Sequence, residues 1–448
     1  MSAVAHEMRS ATPRPWRFTT RVGFRFVFAY IVLYAFPFPF SPPYKPPFWL
    51  REFWLAAAPW IGAHILGAVV RPGPGDLGDA TDEYVRILIV FTLSCAAALI
   101  WSLIDRKRRG YDRLDQWLRI YVRLFLGCEM VGFGMVKLLP VQFSAPTFST
   151  LLTRFGDMPP SALFWSAMGA SRIYTVFAGA TEVLGGALLF VPRLSVAGAL
   201  ISAAALMNVF FLDLGFDINV QQYSLHLLLF AGFLLAPVLP PLTKLLLSGG
   251  PAQIRPPGPL FQRSWVNRLM LILQIAYGGY VVIHDAADAR REVRHYQQTL
   301  AEIPFYGIWS VEELRIGGEL RSPLTTDSHR WSRLIFEPDQ FDGSPDLVIE
   351  MANDARRSFY AEFDKARTVL NLKRVNEERK WVPELFRGQP PDPVVGSFRL
   401  DARAPGHLLL EGVFEGQPVQ ANLRGNQIRF LLLDHGFHWT HDRLLWER

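Results

Sequence analysis

The chain has 448 residues, of which 50% are hydrophobic, 13% aromatic and 19% charged, and its formal net charge is +6. The charges are unevenly spread: residues 84–104 and 173–191 hold one charged residue each, and residues 194–212 hold none. Since about 20 apolar residues cross a bilayer, these stretches exclude a soluble enzyme for the first two thirds of the chain. The basic residues gather at the ends of apolar stretches, which indicates membrane anchoring and argues against nucleic-acid binding.

Seven apolar stretches predict about seven transmembrane helices, at residues 26–40, 84–104, 117–139, 173–191, 194–212, 223–239 and 269–283. Five arginines and a single acid precede the first stretch, and the loops 105–116 and 240–267 are rich in basic residues. The positive-inside rule therefore predicts a cytoplasmic N-terminus and an extracytoplasmic C-terminal domain. The tryptophan-rich segment 48–70 is predicted to lie in the outer interface of the lipid bilayer.

Ionisable residues inside the predicted spans are candidates for catalysis. Glu182 lies at the middle of the fourth span, and Lys137 lies one turn from the outer end of the third. Because a charge inside a bilayer is costly, both are candidate catalytic residues. Each has a structural alternative. Glu182 could be neutral and only join two helices, and the Lys137 side chain could extend to the interface between lipid and water. We expect Arg119 and Arg123 to extend to lipid phosphates in this way.

Further polar residues are predicted to gather at the outer ends of the spans. The candidate substrate-binding residues are His226, Gln142, Asp213, Asp217 and, near mid-depth, Glu129. Counting along the helices places Glu182 about 10 Å deeper than the outer ends, so we expect a polar vestibule that opens outward. Each residue also has a structural explanation: turns or caps for the aspartates, a surface amide for Gln142, and a hydrogen bond to a neighbouring carbonyl for His226.

The sequence offers little for a resident redox group. Cys95 and Cys128 both lie in apolar stretches, so no Cys-x-x-Cys pair or iron–sulfur site is expected. His64 and His226 do not make the paired ligands of a haem. No metal site is expected either, since the histidines at 435, 438 and 441 lie three apart in a non-helical aromatic tail. The acids in residues 78–83 are interpreted as caps of the helix that follows them.

One block of sequence resembles a known membrane family. Residues 121–139 include Arg123, Gly127, Gly134 and Lys137, and Gly-Ala-Thr-Glu-Val-Leu-Gly-Gly follows at 179–186. Over about residues 117–239 this pattern resembles the DoxX-like family, whose core is a four-helix bundle. Longer bacterial members look similar also in Gly-Asp at 78–79 and Gly-Phe-His-Trp at 436–439.

The resemblance implies a role beside membrane-bound thiosulfate or quinone redox complexes, or in the response to oxidative stress. It suggests a quinone as the cofactor class and redox or periplasmic proteins as partners. A more distant similarity to the transmembrane half of vitamin K-dependent carboxylase-like proteins implies an enzyme that uses a membrane lysine.

The last third of the chain predicts an all-β domain. About ten short strands alternate with turn residues, at 307–316, 331–336, 346–351, 358–363, 368–372, 380–386, 396–400, 407–414, 419–423 and 427–433. This pattern is typical of an up-and-down barrel or a sandwich. Gly-Ile-Trp at 307–309 resembles the Gly-x-Trp of lipocalin-like barrels. Such a barrel either holds one small ligand or has a filled core.

We expect four parts: N-terminal transmembrane and interfacial helices (1–116), a DoxX-like four-helix core (117–239), a cytoplasmic loop with the last transmembrane helix and a linker (240–301), and a soluble β-rich domain (302–448). The leading hypothesis is a bacterial-type inner-membrane protein with a redox-linked or small-molecule-handling role and with the β domain as an outer sensor or docking module. The alternatives are a proton-coupled transporter that uses Glu182, a carboxylase-like enzyme with Lys137 as base, and a structural anchor for an extracytoplasmic complex.

Overall fold

The computed structural model describes residues 15–40, 47–71, 78–249, 259–339, 344–375 and 392–434, together with Gly436 and Trp439. The predicted strand at 380–386 and the three C-terminal histidines lie outside the described residues. The chain forms two compact units. The first comprises Met1–Met135 and Ala180–Asp285, and the second comprises Val136–Gly179 and Ala286–Arg448.

Helices form at all seven predicted spans. In chain order they and their neighbours are α1 (Phe18–Ala35), α2 (Phe48–Ile61) with a π-helical turn (Gly62–Leu66), α3 (Thr81–Ile104), α4 (Asp112–Leu138), α5 (Phe148–Leu151), a 3-10 turn (Phe155–Asp157), α6 (Pro160–Ala170), α7 (Arg172–Leu189), α8 (Ser195–Gly215), α9 (Gln221–Leu235), α10 (Leu239–Ser248) and α11 (Ser264–Glu302).

Several of these helices are suited to a membrane. Among the described residues, α1, α3, α8 and α11 are long and apolar enough to cross one, and the pair α9 and α10, bent by 80°, would make a fifth span. They indicate that the protein associates with a membrane. The helix α4 is less apolar because it carries seven acidic or basic residues over its 27 positions. The number of seven spans stays a prediction.

Glycines beside Glu182 let α7 pack closely against its neighbours in the first unit. A Cβ atom at Gly185 would lie 2.7 Å from the Ser202 Oγ on α8, and one at Gly186 would lie 2.9 Å from the Gly127 carbonyl oxygen on α4. Only a residue without a side chain fits such contacts. Glu182 itself is buried. This face of the helix therefore meets protein.

The β-rich part is a closed antiparallel barrel of eight strands. Its strands are β1 (Gly307–Ile316), the two-residue β2 (Glu319–Leu320), β3 (Trp331–Pro338), β4 (Pro345–Met351), β5 (Arg356–Phe363), β6 (Val369–Arg374), β7 (Val394–Ala404), β8 (His407–Phe414) and β9 (Gln417–Asn426). Each strand from β3 onward pairs with the next, and β9 pairs back onto β1. The up-and-down barrel is confirmed, whereas β2 pairs only with β1.

The predicted strand at 427–433 is wrong. Residues 427–430 have no regular structure, and Leu431–Asp434 forms a single helical turn, α12. Because β9 closes the barrel on β1, there is no free edge for a further strand. The interior of the barrel is filled with apolar side chains that are completely buried, among them Leu314, Leu334, Phe336, Leu347, Ile349, Leu370 and Leu410.

In the second unit, the loop between α4 and α7 packs on the outer wall of the barrel. Phe148 and Leu152 cover a buried patch formed by Ile308, Ile335 and Val348. The Phe148 ring also lies 5.1 Å from the ring of Tyr306, centroid to centroid. This apolar contact holds α5 against strands β1, β3 and β4.

Polar contacts fix the same loop. The Ser149 amide donates to the buried Glu337 carboxylate at 3.1 Å. The Arg356 guanidinium donates at 2.7 Å to both the Ser149 carbonyl and the Thr153 hydroxyl. The barrel contacts the α4–α7 loop directly. The barrel and this loop must therefore lie on the same side of any membrane that α4 and α7 cross.

Candidate functional site

A polar cluster lies at one end of the first unit, where α1 ends, α3 and α9 begin, and α4 approaches its last turns. We call it the tyrosine–histidine cluster, and its members are Tyr30, Tyr34, Glu83, Arg86, Glu129, Gln222, Tyr223 and His226. Each contacts or couples electrostatically to at least one other member, as described below. Such a concentration of polar side chains is unusual inside a bundle of apolar helices.

His226 is the centre of the cluster. Its Nδ1 lies 2.6 Å from the Gln222 carbonyl oxygen, one turn back on α9, and its Nε2 lies 2.7 Å from the Tyr30 hydroxyl. A carbonyl only accepts hydrogen bonds, so Nδ1 carries the proton and Nε2 accepts from Tyr30. The Tyr34 ring stacks on the imidazole at a centroid distance of 4.2 Å. The expected carbonyl contact of His226 is confirmed, and the contact with Tyr30 is additional.

An ion pair borders this stack. The Arg86 Nε donates to one Glu83 carboxylate oxygen at 2.7 Å, and its Nη2 donates to the other. The guanidinium lies 5.1 Å above the centre of the Tyr34 ring. The Gln222 amide also donates to Glu83, at 3.2 Å. The pair neutralises both charges and ties α3 to α1 and α9.

Asp79 reaches the same region from outside α3. Its carboxylate accepts from the backbone amides of Gln221 at 2.5 Å and Gln222 at 3.1 Å, so it caps α9. Burial raises the pKa of Asp79 despite these two hydrogen bonds. The interpretation of this acid as a cap of its own helix was wrong. The N-cap of α3 is Ala80, and the first amides of α9 need an acceptor.

Glu129 is the most deeply buried acid of the cluster, with an exposed fraction of 0%. Neither carboxylate oxygen makes a hydrogen bond of good geometry with a described residue, although the Tyr223 hydroxyl is close enough to couple to it. A fixed charge at such a position is costly. Glu129 is therefore the best candidate in this cluster for a group that takes up and releases a proton.

Three other predicted site residues lie in the first unit: Asp213, Asp217 and Glu182. Asp213, buried in the last turn of α8, accepts from the Gln221 side-chain amide at 3.4 Å through its carbonyl. Asp217 is exposed in the following turn with φ of 52°, a conformation that suits aspartate better than most residues. Its turn explanation is confirmed. Glu182 is buried on α7, beside the glycines that contact α4 and α8.

Lys137 and Gln142 belong to the second unit. Lys137 lies buried in the last turn of α4, which contradicts the alternative of a side chain extended to the interface. The Arg172 guanidinium donates to the carbonyls of Lys137 and Leu138 and so caps α4. Gln142 is half-buried, and its backbone N–H donates to the Val136 carbonyl at 3.1 Å.

The expectation that Arg119 and Arg123 extend to lipid phosphates was wrong. Arg119 pairs with Asp115 at 2.7 Å and donates to the Phe233 carbonyl at 2.9 Å. Arg123 is 7% exposed and donates to the Gln274 side chain on α11. Both guanidinium groups point into the bundle because neighbouring helices offer acceptors there, and they join α4 to α9 and α11.

Sequence reasoning missed most of the tyrosine–histidine cluster. Arg86 is the only charged residue within 84–104, so the rule that selected Glu182 could have selected it as well. Tyr30, Tyr34 and Tyr223 give no such signal, since tyrosines are common near the ends of membrane helices.

No set of three or more histidine, cysteine, aspartate or glutamate residues that could hold a metal ion occurs among the described residues. Both cysteines are free, Cys95 exposed on α3 and Cys128 buried on α4. The Cys128 Sγ lies 3.4 Å from the Tyr277 hydroxyl.

Comparison with known proteins adds little about function. No family model and no solved structure matches the chain. A protein of Bacillus subtilis (strain 168), named "Uncharacterized protein YwoB", is 28% identical over 122 residues, which cover 25% of this chain and 71% of that protein. Its name assigns no activity.

Proposed function

We propose that the helical part is a membrane component that binds a small amphipathic molecule with a quinone-type head group at the tyrosine–histidine cluster. The observation that carries the proposal is the 2.7 Å hydrogen bond between Tyr30 and His226 within a stack of aromatic rings. A quinone head group is a flat ring whose two oxygens need hydrogen-bond donors and exchange protons on reduction. The stacked rings match the flat ring, and the Tyr30 hydroxyl can donate to a quinone oxygen in place of the His226 Nε2.

The position of the cluster supports the same ligand class. It lies where α1 ends and α3 and α9 begin, so a head group bound there would leave its apolar tail among the helices and lipid. The resemblance to DoxX-like proteins, some of which are associated with quinone or thiosulfate redox complexes, points in this direction. Cys95 and Cys128 lie on different helices and do not form a redox-active pair. In this proposal a redox protein partner would therefore supply electrons to the quinone or accept them from it.

The barrel is proposed as an outer docking module. Its interior is filled with apolar side chains, which favours a role for its surface over storage of a ligand. Glu337 and Arg356 of the barrel also form hydrogen bonds with the α4–α7 loop. A protein bound to the barrel would therefore change the position of that loop.

Quinone retention tests the proposed ligand. The full chain is reconstituted in nanodiscs with ubiquinone or menaquinone, and bound quinone is extracted and quantified. Tyr30→Phe and His226→Phe keep the rings but remove the hydrogen-bonding groups, so retention should fall about tenfold, as expected for about 1.4 kcal/mol. Tyr84→Phe, exposed on α3, is the matched control and should behave as wild type. Equal retention by all variants would refute the site.

A proton-coupled transporter is a second candidate, favoured by the complete burial of Glu129. Proteoliposomes loaded with a pH-sensitive dye report proton entry driven by an imposed potential. Glu129→Gln should abolish that entry if the transporter hypothesis is correct, and Glu182→Gln tests the second intramembrane acid in the same way. No proton entry by the wild type would remove this candidate.

The proposed inner-membrane topology is tested by cysteine labelling. Single cysteines replace Gly78, Gly110 and Asn353 in a chain from which Cys95 and Cys128 have been removed. An impermeant maleimide added to intact spheroplasts should label positions 78 and 353 and spare position 110. Labelling at 110 would contradict the cytoplasmic assignment of the basic loop.

A further inference from the structure

The end of the first unit opposite the tyrosine–histidine cluster is strongly basic. Here α1 begins, α3 ends and α4 begins, and the connecting loop 105–111 crosses between the last two. We call this surface the basic collar, and its members are Arg17, Arg21, Arg106, Lys107, Arg108, Arg109 and Arg113. All but Arg21, which is half-buried, are exposed.

The backbone under the basic collar is fixed by hydrogen bonds. The Arg109 carbonyl accepts from the Trp16 amide at 2.8 Å, and the Arg108 carbonyl accepts from the Arg21 guanidinium at 2.5 Å. Inside the collar, the buried Arg25 donates to the Tyr111 hydroxyl at 2.9 and 2.7 Å. The loop is therefore held in one shape with its long cationic side chains directed outward.

Among the described residues, the positive charge of the basic collar is only partly balanced. Asp105 lies 3.8 Å from the Arg108 guanidinium, while Asp112 accepts from the Trp16 indole. The third acid of this end, Asp115, pairs with Arg119. Within the part of the chain that the structure describes, Lys107, Arg109 and Arg113 form no ion pair.

We propose that the basic collar binds the head groups of anionic glycerophospholipids. It surrounds the ends of α1 and α3, two helices suited to crossing a membrane, so its cations lie at the depth of lipid phosphates. Trp16 and Trp117 lie at the same end, and tryptophan is typical of the interface between lipid and water. An acidic protein or a nucleic acid fits this position less well, because the bilayer surface occupies it.

The expected strength follows from the number of cations. Each lysine or arginine near an anionic membrane surface strengthens binding about fivefold. Loss of Arg106, Lys107 and Arg109 together should therefore weaken binding by roughly 100-fold at low salt. The effect should shrink at high ionic strength, because these side chains are exposed.

Lipid retention by the purified full chain tests the proposal. The protein in mild detergent is incubated with equal amounts of phosphatidylglycerol and phosphatidylcholine, and native mass spectrometry counts the lipids that remain bound. Wild type should retain phosphatidylglycerol in preference. The triple variant Arg106→Gln, Lys107→Gln, Arg109→Gln should lose that preference. The control Lys365→Gln, Arg399→Gln, Arg429→Gln removes three exposed cations from the β-rich part and should keep it.

Two further arms keep the result interpretable. Lys107→Gln alone touches no described hydrogen bond, so it should fold normally and lower retention about fivefold even if the triple variant misfolds. Inorganic phosphate at millimolar concentration should not displace the lipid. An acidic peptide added as a competitor should not displace the lipid either. Displacement by phosphate or by the peptide, or equal retention of the two lipids by wild type, would each overturn the proposal.

Discussion

The two ends of the first unit use polar residues in opposite ways. At the tyrosine–histidine cluster, the Arg86 and Glu83 charges cancel and the polar groups face one another inside the helices. At the basic collar, the buried Arg25 holds the loop in place and the remaining cations face outward. Under the two proposals, the groups directed inward would bind a small molecule, whereas those directed outward would bind the membrane surface.

The largest effect is expected at the centre of the basic collar. Arg25 is 2% exposed and donates to Tyr111, Ser102 and the Asp105 carbonyl. Arg25→Met would leave these acceptors without a donor, so we expect a loss of stability of about 3 kcal/mol. Thermal unfolding in detergent measures it. The matched control is the exposed Arg106→Met, which should cost well under about 1 kcal/mol. Similar losses in both variants would show that Arg25 does not hold the loop.

The next effect concerns the ion pair of the tyrosine–histidine cluster. Glu83→Gln removes the carboxylate that pairs with Arg86, whose side chain is largely buried. We therefore expect the free energy of unfolding to fall by about 2 kcal/mol and quinone retention to fall as well. The double variant Glu83→Gln, Arg86→Met should be no less stable than Glu83→Gln alone, because the stranded charge is gone. A double variant with the sum of two large single losses would contradict this coupling.

A smaller effect is expected in the second unit, where Glu337 holds the α4–α7 loop. Burial raises the pKa of Glu337, although hydrogen bonds from Ser149 and Phe148 and the charge of Arg356 oppose the shift. A raised pKa in the folded state means that the stabilising contribution is present at low pH and is lost as pH rises through that value.

Hydrogen exchange of residues 148–153 in the full chain measures the attachment of this loop. As the pH rises from about 5 to about 8, wild type should lose protection relative to Glu337→Gln measured at the same pH. The Gln variant serves as the control because its side chain does not titrate. A constant difference between the two proteins over this range would contradict the prediction.

The smallest effect is expected for the surface pair between Arg154 and Asp354, whose side chains are 72% and 58% exposed. Exposed ion pairs contribute about 0–1 kcal/mol because water and salt screen them. Arg154→Ala should therefore leave protection of residues 148–153 almost unchanged. A loss as large as that of Arg356→Ala would show that the surface contact contributes more than the buried ones.

The barrel and the helices were largely predictable because their signals are local. Alternation of apolar residues gave most strands, and the range 307–316 agrees with β1 at both ends. The strand at 427–433 was wrong because barrel closure depends on a distant partner, β1, which local alternation does not reveal.

The site was less predictable, since it depends on which helices are neighbours. His226 and Glu129 were selected by their depth, but the contact of His226 with Tyr30 spans 196 positions of sequence. Asp79 likewise caps a helix that begins 142 positions later. A depth count gives the level of a residue in the membrane and says nothing about which neighbouring helix it faces.

Photo-crosslinking with an azido-quinone locates the proposed ligand site directly. The full chain in a lipid bilayer is illuminated with the probe, digested and analysed by peptide mass spectrometry. We expect the label on peptides of α1 and α9 around Tyr30 and His226, with competition by excess unlabelled quinone and loss of the label in His226→Phe. Label confined to the basic collar or the barrel, or unchanged labelling in His226→Phe, would contradict the assignment of the tyrosine–histidine cluster as the site.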